Sequence, residues 1–312
     1  MFDPISLYWF IVLFSISTYG IYVHLTEDKQ ASSFYIYGKS LDVTKKKGLF
    51  WQLFLVPKKS FAHFYIISVC IFIVSFIIST VYYIPSTASV RINHISNYVT
   101  KLSNNTIKIE VARDLNQVVS LIFTIILMII QCSRRLYECL FISVYSDNSK
   151  INILHYLFGH SFYIFAALST LCPIVFSQTS GKYTMGDLMD NLLNKERAIL
   201  FVLFIYASHH QQKCHVILAN LRKDKTGRKI TNNHYVPTGS LFEYVSCPHF
   251  LLEIILYFII VTIQNFKITY WNLIFTLVVS TQTINALTEH KWYKRKYKEY
   301  PKERRAILPR LL

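Results

Sequence analysis

The sequence predicts an all-α, polytopic membrane protein: one domain of about seven packed transmembrane helices, with no separate soluble domain. Three observations carry this reading. The 312 residues are 53% hydrophobic and 16% aromatic, with only 8 Gly and 8 Pro, which argues against a disordered or collagen-like chain. Several apolar runs are longer than a soluble core helix needs. The basic residues behind the net charge of +16 gather in alternate loops rather than on one surface, as membrane orientation requires and nucleic-acid binding does not.

The spans read, in order, as about 6–24, 62–84, 116–133, 152–176, 197–217, 249–264 and 268–288. The first follows Asp3, with no basic flank and no small-x-small cleavage site, so it is expected to remain as a span. Lys58 and Lys59 lead into the second. The third should shade into a polar helical extension from Glu138 to Tyr145. A tight turn around Gln264 to Lys267 parts the last two. Loops 25–61, 134–151 and 218–248, with the tail 289–312, hold 24 Lys and Arg against 7 in loops 85–115, 177–196 and 265–267. That asymmetry places the N-terminus in the lumen and the C-terminus in the cytosol. The sequon Asn104-Asn105-Thr106 falls on the side that this assigns to the lumen. The six cysteines form no CxxC pair and read as reduced, buried small residues.

Ionisable groups inside or beside apolar spans are expensive unless they line a polar cavity. Gln131, Arg134, Arg135 and Glu138 share one side of the third helix. They suit either an Arg–Glu pair fixing the helix or a polar wall that binds phosphate and polarises a carbonyl. His63 and Tyr65 stand where a basic loop enters the membrane, and His249 and Glu253 lie four residues apart at the start of the sixth span. His209-His210 with Cys214-His215 tempts a metal assignment, but one such cluster makes no closed ligand set, so no metal is expected. No G-x-G-x-x-G motif or βαβ pattern occurs, which excludes a Rossmann site. In the tail, nine Lys or Arg interleave with Trp292, Tyr293, Tyr297 and Tyr300. Such a pattern holds either anionic headgroups or a phosphorylated cofactor.

Longer segments carry a resemblance. His290, Tyr293, Tyr300, Pro301, Lys302, Arg304, Ala306, Ile307 and Pro309 resemble the C-terminus of the steroid 5α-reductase family. So does Phe242-Glu243-Tyr244-Val245-Ser246 with Pro248-His249. Val56 to Tyr65, Gln131 with Arg134 to Leu140, and Cys214 to Lys223 resemble its polyprenol-reducing branch. The similarity spans roughly residues 50–312; the first 49 match only in hydropathy.

The resemblance implies an enzyme of the endoplasmic reticulum membrane. It would saturate the α-isoprene unit of a long polyprenoid with NADPH and so supply dolichyl phosphate for protein N-glycosylation. Membrane lipids are its other expected partners, and no nucleic acid or obligate protein partner is inferred. The cofactor would be held by Arg134, Arg135, His215, Arg222, Lys223, His249, Glu253, His290, Tyr293 and Arg304. Their cations suit the additional 2′-phosphate of NADPH. Gln131 and Cys132 would meet the substrate. Steroid- and enoyl-reducing relatives begin this helix His-Tyr where this chain has Gln131-Cys132, and that Tyr is thought to bond the substrate carbonyl; a thiol at Cys132 is too weak a donor for the role. The electrophile then falls among His63, Tyr65, Tyr137 and a protonated Glu138. A 3-oxo-steroid or trans-2-enoyl thioester substrate on the same fold is the alternative. A membrane methyltransferase, or a transporter without nucleotide binding, stands further off.

Overall fold

The computed structural model describes residues 3–26, 55–83, 87–102, 109–146, 149–177, 183–192, 194–224 and 226–311. Asn104-Asn105-Thr106, and Lys29 to Lys47 of the first basic loop, lie outside the described residues. The fold is mostly helical. Each interval read as a span falls on a helix: α1 (Pro4–Thr26), α2 (Phe61–Tyr83), α4 (Leu115–Tyr137), α5 (Ile153–Val175), α7 (Lys195–Asn220), α8 (Pro248–Ile263) and α9 (Thr269–Lys296). Two shorter helices lie in the intervening loops, α3 (Thr87–Leu102) and α6 (Met185–Leu192). Among the described residues, four helical stretches are long and apolar enough to cross a membrane: Pro4–Thr26, Lys58–Tyr83, Leu115–Ile142 and Ile153–Val175. The chain is therefore a helical, multi-pass membrane protein.

Local chemistry sets the helix starts. Asp114 accepts from Gln117 N at 2.8 Å while Gln117 Oε1 accepts from Arg113 N at 2.8 Å, a reciprocal cap that opens α4. Asn152 caps α5 through Leu154 N, and Asn194 caps α7 through Arg197 N. Pro248 opens α8 where its missing N–H costs nothing. The turn from α8 to α9 has Asn265 and Phe266 at positive φ, the left-handed geometry that so short a reversal demands.

Helix α2 packs against α4 and α5, α1 against α9, and α8 against α7 and α9. Gly159 lets α5 approach α2: a Cβ there would come within 2.9 Å of the Phe64 ring. Hydrogen bonds knit the apolar surfaces. Trp9 Nε1 donates to Ser169 Oγ at 2.8 Å, Tyr8 to Ser161 at 2.7 Å, and Ser280 to Ser17 at 2.7 Å. In hydrocarbon such bonds help to fix which helix faces meet.

The structure corrects one expectation. The third helix does not run on to Tyr145; it closes in a π turn, Glu138–Ile142, and the chain then extends. A short antiparallel pair, β1 (Leu55–Pro57) with β2 (Lys150–Asn152), ties that segment to the entrance of α2. Extra residues at a π turn change which way the last side chains point, and Glu138 is the first of them.

Candidate functional site

Four helices bring polar side chains to one point: α2 gives Tyr65, α4 gives Gln131, Arg134 and Arg135, α7 gives Gln211 and His215, and α8 gives Glu253. Gln131 donates to Gln211 Oε1 at 3.1 Å and to Glu253 Oε2 at 3.4 Å. Gln211 in turn donates to Glu253 and, at 3.1 Å, to the His249 carbonyl. Arg134 reaches back to Gln131 Oε1 at 2.9 Å and across to Gln211. Each bond answers a group that would otherwise be stranded among apolar helices.

Glu138 is fully buried and sits between the Arg134 and Arg135 guanidinium groups. His215 Nδ1 lies 2.7 Å from its second oxygen and 2.7 Å from Arg135 Nη1. One ring nitrogen cannot donate and accept together, so Nδ1 either donates to the carboxylate or accepts from Arg135. A carboxyl gripped by two cations is an acceptor. The expectation of a protonated, proton-donating Glu138 is corrected on that ground.

Tyr65 occupies a different position. Its oxygen accepts from Arg135 Nε at 3.3 Å, the guanidinium stands 5.3 Å from its ring centre, and its ring lies 5.8 Å from that of Tyr163. The phenolic proton is thus left free to donate. Cys132, one face away on α4, is buried.

His63 and Tyr137 are not brought to this centre. His63 is exposed and bonds the Tyr156 hydroxyl at 2.9 Å on α5. Tyr137 is 50% exposed and packs on Phe141. The reason is angular: neither falls on the side of its helix that Tyr65 or Arg135 occupies.

A second assembly is built by the tail folding back. Ser246 N donates to the Arg305 carbonyl at 2.8 Å and Cys247 N to that of Ala306 at 3.1 Å, laying residues 305–306 along the approach to α8. Ser246 Oγ is 2.6 Å from His290 Nδ1 and 2.6 Å from the Tyr300 hydroxyl. The Tyr293 and Tyr300 rings stack 5.6 Å apart at 11°. Burial pushes the Tyr300 hydroxyl above its ordinary pKa. Arg304 is buried too, donating to the Pro237 carbonyl at 3.0 Å and standing 5.4 Å from the Tyr300 ring. Around the π turn, Arg222 donates to the Val144 carbonyl at 2.9 Å and meets His234, and Lys223 donates to the Ile142 carbonyl at 3.1 Å. These two cations hold the chain that follows α4.

The donor set fits a phosphorylated cofactor. Among the described residues, Nε of Arg134 and Nε of Arg304 are buried without a hydrogen-bond partner, an expensive condition that an anion's oxygens would relieve. Among the described residues, no three His, Cys, Asp or Glu side chains converge to hold a metal ion. Sequence reasoning left Gln211, Ser246 and Tyr300 out of the site. Gln211 carried a signal, standing four residues before His215 and therefore on the same face of α7.

The sequence profile of the family described as 3-oxo-5-alpha-steroid 4-dehydrogenase matches residues 162–312. A polyprenal reductase from Drosophila melanogaster is 42% identical over 190 residues, 60% of this chain and 56% of that protein. One from Ailuropoda melanoleuca is 34% identical over 280 residues, 88% of this chain and 83% of that protein. The human polyprenal reductase is 40% identical over 179 residues, 56% of this chain and 55% of that protein. The chain thus spans about half the length of the fly and human proteins in these matches, and over four fifths of the panda protein.

Proposed function

Because the chain belongs to the polyprenal reductase family, we propose that it reduces the α-isoprene double bond of a long-chain polyprenal to give dolichal. Its product would go on to dolichol and dolichyl phosphate for protein N-glycosylation. The seven helices on which the expected spans fall are read as seven spans of the endoplasmic reticulum membrane, luminal at the N-terminus and cytosolic at the basic tail. One observation carries the catalytic reading: a tyrosine hydroxyl, accepting from the partly buried Arg135 guanidinium, stands in a polar centre walled by apolar helices.

The substrate's own chemistry selects the aldehyde. Hydride adds to a C=C bond when a conjugated carbonyl can take the resulting charge, and an allylic alcohol offers no such sink. NADPH, when bound, supplies the hydride accepted at C3. The chain's part is to hold the aldehyde oxygen as charge develops on it. Tyr65 donates to that oxygen, and Arg135 keeps the phenol oriented through Nε. A donor fixed before reaction stabilises the enolate without reorganising. Glu138 pairs with both arginines and keeps them from competing for the substrate oxygen. C2 is protonated afterwards.

Gln131 and Cys132 border the substrate. Arg134, His249, Glu253, His290, Tyr293 and Arg304 are the residues we assign to the cofactor, with Arg222 and Lys223 positioning the loop beside it. Purified protein given NADPH should form dolichal from polyprenal. Faster turnover of polyprenol, in the absence of any oxidase, overturns the aldehyde assignment.

A further inference from the structure

Saturating a double bond takes a proton as well as a hydride, and the polar centre described so far commits its groups to other work. Glu138 is paired with two guanidinium groups, and Glu253 accepts from Gln131 and Gln211. Cys132 is hydrogen-bonded to Ser68, whose own hydroxyl donates to the Tyr65 carbonyl at 3.0 Å. With that proton spent, the thiol is the donor of the pair.

Tyr163 of α5 is not so committed. Its ring lies 5.8 Å from that of Tyr65, inclined at 59°. The ionisable neighbours of its hydroxyl are Tyr65, Cys132, Tyr257 and Glu253. They belong to α2, α4 and α8, so the hydroxyl is turned toward the space that those helices share with α5. Among the described residues no hydrogen bond engages it, and the side chain is only half-buried. A hydroxyl held among apolar helices without a partner is costly; a bound substrate would supply the partner. Tyr257 stands nearby on α8, but it is buried and its ring meets Phe162 at 6.5 Å and Trp271 at 6.4 Å.

The substrate fixes where a second donor must stand. Bonds of about 1.2 and 1.5 Å place C2 about 2.4 Å from the aldehyde oxygen. A group that reaches C2 is therefore an immediate neighbour of the group that holds the oxygen. Tyr163 is the phenol whose ring meets that of Tyr65.

We propose that Tyr163 is the proton donor to C2 in the reduction of polyprenal. This rests on the reading of the protein as a polyprenal reductase, with Tyr65 as the donor to oxygen. Hydride from NADPH forms the C3–H bond and leaves an enolate across C2, C1 and oxygen. The enolate pair then takes the Tyr163 proton: the C2–H bond forms, the Tyr163 O–H bond breaks and the C1=O bond is restored. An aldehyde enolate is a far stronger base than a phenolate, so the transfer runs downhill. The phenolate regains its proton from water once dolichal leaves.

The test is run in D2O with purified full-length protein in excess over polyprenal, with NADPH. The product is trapped at once as its alcohol, so that C2 cannot exchange. Wild-type protein should place deuterium in one of the two prochiral positions at C2. Deuterium spread over both positions in the wild-type product overturns the proposal, because no fixed group then delivers the proton. Tyr163→Phe should slow turnover about tenfold or more and spread the deuterium over both positions, with Kd for NADPH within about twofold of wild type.

A variant that still labels one position assigns the proton to another group and overturns the proposal; so does scrambling in Tyr257→Phe alone. No product at all from Tyr163→Phe places the hydroxyl before the protonation step and overturns it too. Removing a hydroxyl that has no partner should leave thermal unfolding unchanged. A variant that fails to fold shows that the hydroxyl was already engaged, which again overturns the proposal. Wild-type protein inactive on polyprenal sinks the functional reading itself, and the donor with it.

Discussion

Replacing Tyr65 by phenylalanine removes a single oxygen from the polar centre. The ring keeps its place beside Tyr163, 5.8 Å away, and beside the Arg135 guanidinium, 5.3 Å away. Arg135 loses one acceptor at 3.3 Å and retains Glu138, so folding should lose only about 1 kcal/mol. Catalysis should lose far more. A preorganised donor to a developing oxyanion contributes about 2.7–4 kcal/mol, so kcat should fall roughly 10²–10³-fold. KM for polyprenal should move much less, because the bond strengthens only as charge reaches the oxygen. The assay is steady-state formation of dolichal by purified Tyr65→Phe protein, with NADPH affinity and thermal unfolding measured on the same preparation. A kcat within about threefold of wild type refutes the assignment of Tyr65. A large loss accompanied by collapse of thermal stability refutes it equally, because the effect would then belong to packing.

Removing the carboxylate of Glu138 as Glu138→Gln leaves two guanidinium groups facing one another in a buried site, and thermal unfolding should report a loss of about 3–5 kcal/mol; stability equal to wild type contradicts the ion-pair reading. His63→Ala and Tyr137→Phe should both keep kcat within about twofold, since neither side chain reaches the polar centre. Arg304→Met keeps the bulk of the side chain but removes the buried donor, so Kd for NADPH, read by titration calorimetry, should rise about tenfold or more; an unchanged Kd removes Arg304 from the cofactor site. Asp114→Ala deletes the cap of α4 and should cost about 1 kcal/mol of stability at unchanged kcat.

The helices were legible in the sequence because hydrocarbon admits few solutions: an apolar run must satisfy its own backbone. All seven intervals accordingly fall on helices. The π turn was not legible. Residues 138–142 keep an apolar and polar mixture compatible with a plain helix, and what stops it is tertiary: the Arg222 and Lys223 donors drawing on the carbonyls of Val144 and Ile142. The site divides in the same way. Arg134, Arg135, Glu138 and Glu253 declared themselves as charges beside apolar runs, and the structure gathers them. Gln211 is neutral, with only its place four residues before His215 to mark it, yet its carboxamide bridges Gln131 of α4 to Glu253 of α8. Charge is conspicuous in a sequence. A neutral amide that lets two charges share a cavity shows itself only once the helices are placed.

That placement also explains how a tyrosine can move between helices without the chemistry changing. The resemblance to steroid 5α-reductases puts the carbonyl-binding tyrosine on the third helix, where this chain has Cys132, buried against the α2–α4 seam. A side chain that ends at sulfur vacates the volume of a phenol. Tyr65 approaches from the facing helix, and its oxygen is met by Arg135, one turn beyond Cys132 on α4. The hydroxyl thus stands on the same seam, with α4 still supplying its electrostatic support through arginine. What the reaction requires is a fixed donor at one point in a dry cavity, and geometry is indifferent to which helix supplies it. On the proposed reading the substitution at Cys132 is then no loss of an electrophile, because Tyr65 supplies the donor from the facing helix.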